Sequence, residues 1–421
     1  MNSDTPAAFD PAYRRPRLGL GSAAIDHTEE AAALAVLRSG NLFRYYGDDP
    51  VHPPHAVADL EAAARQWVGV DYALALSSGT AALEAALAAI SVGPGDEVIV
   101  PAWSWLSCVT AIVRSGALPV LAEIDETLCL DPAEIARLAT PRTRAVLLVH
   151  YQGIAADLGA IIHAAHRRGL FVIEDCAEAP GVTYRGRKVG AWGDVAIFSF
   201  QHNKAMTAGE GGLLVTRDIR TYERAVRMSD LGQYRPHHAA ITPAQEPAFS
   251  GAQFRMSELT AAVALVQLGK IDAIRSHCRH LQALIRREVG ELSALTWRPI
   301  PDPAGDFGFE LYFYLDDASL VTPFRDALDA LQVNCQKRTG TYPQYHRDYL
   351  LTGRTHHPAV SPFRELKPWP APGYRPVDFP RTEDLTRRFI ALPLGWHYTE
   401  ADAHHIATAI KAVHARQITT D

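Results

Sequence analysis

The chain has 421 residues, enough for two or three domains at roughly 100–200 residues each. Its 48% hydrophobic and 21% charged composition is that of a globular protein, which excludes collagen, coiled coil and wholesale disorder. The formal charge of −6 excludes the basic excess of a general nucleic-acid binder, and no apolar run reaches the roughly 18 residues of a membrane span.

The first stretch, MNSDTPAAFDPAYRRPRLGL, carries acids, arginines and prolines and has no apolar core. It reads as an extended arm over 1–27 and not as a signal peptide. Five cysteines (Cys108, Cys129, Cys176, Cys278 and Cys335) are widely spaced and include no CxxC pair. Such thiols fit packing roles in a reducing, cytoplasmic setting. No HExxH occurs, and no metal site is expected.

A helix is predicted over 28–39, with Thr28 as its N-cap and Gly40 at its end. NLFRYYGDDPVHPP then reads as a loop. From Tyr72 a strand–helix alternation begins. The apolar runs are YALAL (72–76), EVIVPA (97–102), LPVLAEI (118–124), RAVLLVH (144–150), FVIEDCA (171–177), DVAIFSF (194–200) and GGLLVT (211–216). Near-continuous apolar character marks strands covered on both faces. Helical stretches separate the early ones, which predicts an α/β domain with a mostly parallel seven-stranded sheet. The last runs follow closely, so one of them is expected to be antiparallel. A long helix starting near Met256 leads out of this large domain (28–269). A smaller C-terminal domain (270–421) holds a strand at ELYFYL (310–315) and helices near 323–332 and 400–415. A segment rich in Pro, His, Arg and aromatics, about 338–382, lies between them.

Four motifs carry candidate chemistry. In SSGTAALEAAL, Ser78, Gly79 and Thr80 open a helix after a strand. Its free N–H groups suit a phosphate, or simply form a capped helix. Asp175 ends a buried strand, where α/β sheets bind ligands. A buried carboxylate there needs a cationic partner such as a protonated ring nitrogen, or else it caps a helix. Lys204, in FSFQHNKAMTAGEGG, follows a buried strand that ends near Ser199. It reads as a Schiff-base nucleophile or as a surface lysine beside a glycine turn. Trp105 either stacks on a planar ring or belongs to the core. Together the four are the parts of a pyridoxal phosphate site.

These stretches, with VGPGDEVIVPAWSW, VHYQG and FRMSELTAAVALVQL, resemble the DegT/DnrJ/EryC1/StrS sugar aminotransferases over about residues 30–415. The resemblance implies the fold of the fold-type I (aspartate-aminotransferase-like) pyridoxal-phosphate transferases. It implies that Lys204 carries the cofactor, Asp175 pairs with its ring nitrogen, Ser78, Gly79, Thr80 and Ser199 hold its phosphate, and Trp105 stacks on its ring. It also implies that GAQFRMSEL, with Gln253 and Arg255, reaches the phosphate of a neighbouring subunit, so a homodimer shares its active sites. The family commonly has Asn where this chain has Gln253. It commonly has Gln, facing the cofactor's phenolic oxygen, where this chain has Glu178. Arg44, Tyr45, Tyr46 and His202, and the segment 338–382, are candidate substrate contacts. The implied reaction moves an amino group from glutamine or glutamate to a keto-cyclitol or nucleotide-linked keto-sugar. Gln-His-Asn-Lys looks closer to the cyclitol and aminohydroxybenzoate branch. A lysine-dependent dehydratase or aromatase, or a non-catalytic partner of the same fold, stays open as an alternative.

Overall fold

The computed structural model describes residues 12–45, 55–336, 343–363 and 375–418. The chain enters through α1 (His27–Ser39) and α2 (Ala56–Val68). The N-cap of α1 is Asp26 and not Thr28: Asp26 accepts from the Thr28 N–H and Glu29 reaches back to the Asp26 N–H, a reciprocal capping box. Gly40 closes the helix in the left-handed region, at φ 70°.

All seven apolar runs become strands of one sheet. Its first members are β1 (Tyr72–Leu76), β2 (Glu97–Pro101), β3 (Leu118–Ala122), β4 (Thr143–Val149) and β5 (Phe171–Asp175). The crossovers between them are α3 (Gly79–Ala89), α4 (Leu106–Arg114), α5 (Pro132–Leu138) and α6 (Leu158–His166). After β5 comes a small hairpin, β6 (Thr183–Tyr184) and β7 (Arg187–Lys188), and then β8 (Val195–Ser199) and β9 (Gly212–Thr216). The spatial order is β1-β9-β8-β5-β4-β2-β3. β9 runs antiparallel to both of its neighbours, and the other adjacent pairs are parallel. β8 and β9 are joined without a crossover helix, so the chain can only return in the opposite sense. β2, β8 and β9 are buried at every residue, which is why they read as unbroken apolar runs.

Beyond the sheet lie α7 (Ile219–Ser229), the single turn α8 (Pro236–Ala239) and the 32-residue α9 (Glu258–Val289). α9 bridges two hydrophobic clusters. Its residues up to Cys278 belong to the large cluster around the sheet, and those from Leu281 onward belong to a second one. The second cluster is built on a three-stranded antiparallel sheet, β10 (Leu295–Trp297), β11 (Glu310–Leu315) and β12 (Phe389–Pro393). Helices α10 (Val321–Ala330), α11 (Asp348–Leu351), α12 (Pro380–Arg388) and α13 (Glu400–Gln417) complete the chain. β11 is buried on both faces: Leu311, Phe313 and Leu315 face the small cluster, and Tyr312 and Tyr314 face the large one. Among the described residues no helix is long and apolar enough to cross a membrane. The five cysteines are free thiols, four of them buried.

One buried ion pair ties the entry loop to the sheet. The Arg44 guanidinium meets Glu61 at 2.6 Å, and the other Glu61 oxygen accepts from the Ala75 N–H of β1 at 2.7 Å. Removing one partner leaves a buried, uncompensated charge. Glu61→Ala is therefore expected to lower stability by about 3–5 kcal/mol in urea unfolding. The paired exchange Arg44→Met with Glu61→Leu should restore most of it. An equally unstable double variant would show that the pair's worth lies elsewhere.

Candidate active site

The site forms where the parallel strands end, as expected for an open α/β sheet. A cavity of about 660 Å³ opens there. Ser78, Gly79, Thr80, Trp105, Asp175, Glu178, Ser199, His202 and Lys204 all line it. Residues that lie up to 126 positions apart in the sequence are thus brought together by the strand order alone.

The wall at β1 and α3 is a tight backbone junction. Ser78 is the N-cap of α3, in extended conformation, and its Oγ accepts from the Ala81 N–H at 3.0 Å. Its hydroxyl proton remains available to a ligand. Gly79 and Thr80 begin the helix, where N–H groups have no partner within the helix and the dipole favours an anion. A Cβ on Gly79 would stand 2.9 Å from the Ser199 Cβ. A Cβ on Gly212, which opens β9, would overlap the Ser78 carbonyl. The two glycines let three strand ends converge on one anion-sized pocket.

Asp175 ends β5 and is 4% exposed. One carboxylate oxygen accepts from the Ala177 N–H at 2.9 Å, the other from the Cys108 thiol at 3.2 Å. Burial pushes the Asp175 carboxyl up. The Ala177 N–H, the Cys108 thiol and the Lys204 charge pull it down, and Glu178 pushes it up again. Lys204 sits in the loop after β8, where its N–H donates to the Gln201 carbonyl at 2.9 Å. Its Nζ lies 3.3 Å from Glu178, whose other oxygen accepts from the Gln152 N–H. Trp105 is the N-cap residue of α4 and is 51% exposed, so it is a wall of the cavity and not a core tryptophan.

Behind Asp175, on the opposite face of β5, Glu174 is fully buried. It accepts from Gly190, Trp192 and Gly193 N–H groups at 2.6–2.8 Å and contacts His150 Nε2 at 3.0 Å. His150, Glu174 and Cys176 place ligand-type atoms within 4.8 Å of one another. The donors around Glu174, and the Ala156 N–H on His150 Nδ1, account for these groups as a structural knot.

Other expected contacts lie elsewhere. Arg44 is committed to Glu61, and the Tyr45 hydroxyl pairs with His238 at 2.9 Å. Neither lines this chain's cavity, and Tyr46 lies outside the described residues. Arg255 pairs with Asp230, and exposed Gln253 bridges to the same Asp230; both stand outside this chain's cavity. None of the described residues of the 338–382 segment lines it either. Gln344 instead braces the loop before Trp105 through the Ala102 and Ser104 carbonyls. The arm residues Leu18–Leu20, together with Gln152, Glu310 and Leu394, form walls that the sequence reading missed. Gln152 lay in VHYQG, Glu310 in the strand ELYFYL and Leu18–Leu20 in the arm, but none carried a chemical signal; Leu394 lay in no stretch singled out.

Residues 24–411 match the DegT/DnrJ/EryC1/StrS aminotransferase family. The chain belongs to that family. A curated relative, an L-glutamine:2-deoxy-scyllo-inosose aminotransferase of Streptoalloteichus tenebrarius, is 35% identical over 361 residues, 82% of each chain. Among solved structures, 3-amino-5-hydroxybenzoic acid synthase is similar at a TM-score of 0.79 and 26% identity, covering 96% of this chain and all of the other. An aminotransferase from Streptoalloteichus hindustanus is similar at a TM-score of 0.75 and 26% identity, covering 96% and 98%. The protein is an aminotransferase of the DegT/DnrJ/EryC1/StrS family, and its cofactor is pyridoxal 5'-phosphate. The cavity fits that group. A helix N-terminus with two hydroxyls suits the phosphate, a buried carboxylate suits a protonated ring nitrogen, and a lysine lines the same cavity.

Gly212→Ala is expected to displace the Ser78 turn and weaken cofactor retention at least about tenfold, the worth of roughly one hydrogen bond to a charged group. Dialysis against increasing phosphate measures this. Unchanged retention would mean that the turn does not hold the cofactor.

Proposed function

We propose that this aminotransferase takes its nitrogen from glutamine or glutamate and delivers it to a ketone on a polyhydroxylated ring. The acceptor is a keto-cyclitol or a nucleotide-linked keto-sugar, in the assembly of an aminoglycoside-type secondary metabolite. The observation that carries this reading is the convergence of Lys204, Asp175 and the α3 N-terminus on one cavity. The 35% identical relative named for L-glutamine and 2-deoxy-scyllo-inosose supports the cyclitol form of it.

When bound, pyridoxal phosphate supplies an electron sink for the carbon that exchanges its proton. The chain's own groups do the rest. The Ser78 and Ser199 hydroxyls and the N–H groups of Gly79 and Thr80 hold the phosphate. Asp175 holds a proton at the ring nitrogen. Trp105 covers a face of the ring and limits water. Lys204 would hold the cofactor and, as a general base, would take up and release the proton of the donor carbon. Glu178 orients the Lys204 amine from 3.3 Å, with its second oxygen fixed by Gln152.

The assembly in this reading is a homodimer. Arg255 is held at the end of β1 by its bridge to Leu76, and Gln253 by its bridge to Asp230; neither lines this chain's cavity. In that position they serve a neighbour's phosphate.

A second reading, loss of water from the ring without consumption of an amino donor, is favoured by the likeness to 3-amino-5-hydroxybenzoic acid synthase. Mass analysis of products separates the two. An aminated ring formed only with glutamine or glutamate, from 2-deoxy-scyllo-inosose or a nucleotide-linked keto-sugar, supports transfer. A dehydrated ring formed without a donor sinks it.

Lys204→Ala is expected to abolish the visible absorbance of the loaded protein, and a band that persists would refute the role of Lys204. Asp175→Asn is expected to cost about 10²–10⁴ in turnover while cofactor is still taken up, the range seen for loss of a group that manages a proton. Near-native rates would remove Asp175 from its role. A fully active monomer in sedimentation would contradict the shared site.

A further inference from the structure

Asp175 presents a problem of donor strength. A carboxylate that must keep a proton on a neighbouring ring nitrogen has to stay ionised in a buried place. It must also remain a good base. Strong donors secure the charge but spread it away from the ring. Weak donors leave it basic but poorly anchored.

The structure has settled on an intermediate arrangement. Oδ1 takes one backbone N–H, from Ala177 at 2.9 Å. Oδ2 takes a thiol, from Cys108 at 3.2 Å. Cys108 is completely buried in the first turn of α4, three residues after Trp105. Burial and the Asp175 charge hold its thiol well above the usual range, so it stays an S–H donor. An S–H group is a weak donor compared with a hydroxyl. One short helix therefore presents an indole to the cavity and a thiol to the carboxylate beneath it.

We propose that Cys108 is a positioning residue for Asp175: its thiol fixes the plane of the carboxylate while leaving it basic enough to hold the proton on the cofactor's ring. This rests on the reading of Asp175 as the ring's partner. The other groups facing Asp175 are Lys204 from the loop after β8, Glu178 and the Ala177 N–H from the turn after β5, and the His150 N–H on its backbone carbonyl. Ser104 is the thiol's other side-chain partner, so Ser104→Ala, which leaves the Asp175 contact in place, is the control.

The test compares cofactor-loaded wild type with Cys108→Ser and Cys108→Ala. Serine puts a stronger donor on Oδ2 and lowers the basicity of the carboxylate. Alanine removes the donor and raises it. The alkaline limb of kcat should move to lower pH in Cys108→Ser and to higher pH in Cys108→Ala. Each shift should be about one pH unit, as for altering one hydrogen bond to a charged group. KM for the amino donor should stay within about twofold, since neither exchange alters a donor contact. The pH titration of the bound cofactor's absorbance should move the same way. Shifts in one common direction, or none, overturn the proposal.

A readout on the cofactor-free protein stands apart from activity. In the infrared spectrum one of the five S–H stretching bands should sit at the frequency of a thiol bonded to a charged acceptor, and it should move in Asp175→Asn. If all the S–H bands are unchanged by Asp175→Asn, the thiol does not serve Asp175. This holds even if the Cys108 variants fail to fold. A protein that takes up no pyridoxal phosphate at all would instead overturn the functional reading, and the infrared result would still decide the contact.

Discussion

The whole site depends on keeping one ionised carboxylate at the dry end of a parallel strand. Burying a charge without partners is costly, so each carboxylate on β5 must be answered. Glu174 and Asp175 are neighbours on that strand and therefore point to opposite faces. Glu174 is answered completely, by three backbone N–H groups and His150, and its carboxyl is held below the usual range although burial opposes this. Asp175 receives one N–H and one thiol. The first carboxylate is closed to chemistry, and the second is left short of donors on the side where a cationic ring nitrogen can complete it. The difference between a structural acid and a reactive one is here a difference in donor count and donor strength.

That deficit fixes what surrounds it. The cation that completes Asp175 must arrive as part of a ligand anchored elsewhere, and the nearby α3 N-terminus offers an anchor for an anion. The anchor exists only because Gly79 and Gly212 allow the ends of β1, β8 and β9 to close on each other. Both would be displaced by one methyl group. Lys204 lines the same cavity from a loop whose own backbone is folded back on Gln201 and Phe200.

The sheet was legible in the sequence because strands covered on both faces must be apolar throughout, and all seven runs appeared as such. The antiparallel return was legible from connection length. Asp175, Lys204 and Ser78 were legible because their positions at strand ends carry chemical meaning. α2 and α7 were not predicted. In α7 the buried Glu223–Arg227 pair makes a core-facing turn look solvated. Arg44 and Tyr45 looked like substrate groups because loop arginines and tyrosines often are. Glu61 and His238, which claim them, lie 17 and 193 positions away. The Cys108–Asp175 contact spans 67 positions and joins two elements that pattern cannot align.

The arm at the N-terminus explains how two separate cores share one cavity. Before the cavity it is held by the small unit. Tyr13 reaches Asp402, Arg15 reaches Asp329, and the Pro16 carbonyl accepts from Asn334. After the cavity it is held by the large one, where Gly21 packs against the Ala205 carbonyl and the Ala24 carbonyl accepts from Lys270. Leu18–Leu20, between these anchors, are cavity wall. Leu394, directly after β12, belongs to the small core, whereas Glu310 on β11 accepts from Tyr312 of the large one, and Asp175 ends a strand of the main sheet. The cavity is thus lined from both cores, with α9 and this arm running between them. The arm thus runs from contacts with the small unit to Gly21, where even one added Cβ would stand 2.9 Å from the carbonyl of Ala205, the residue directly after Lys204, so this crossing leaves no room for a side chain.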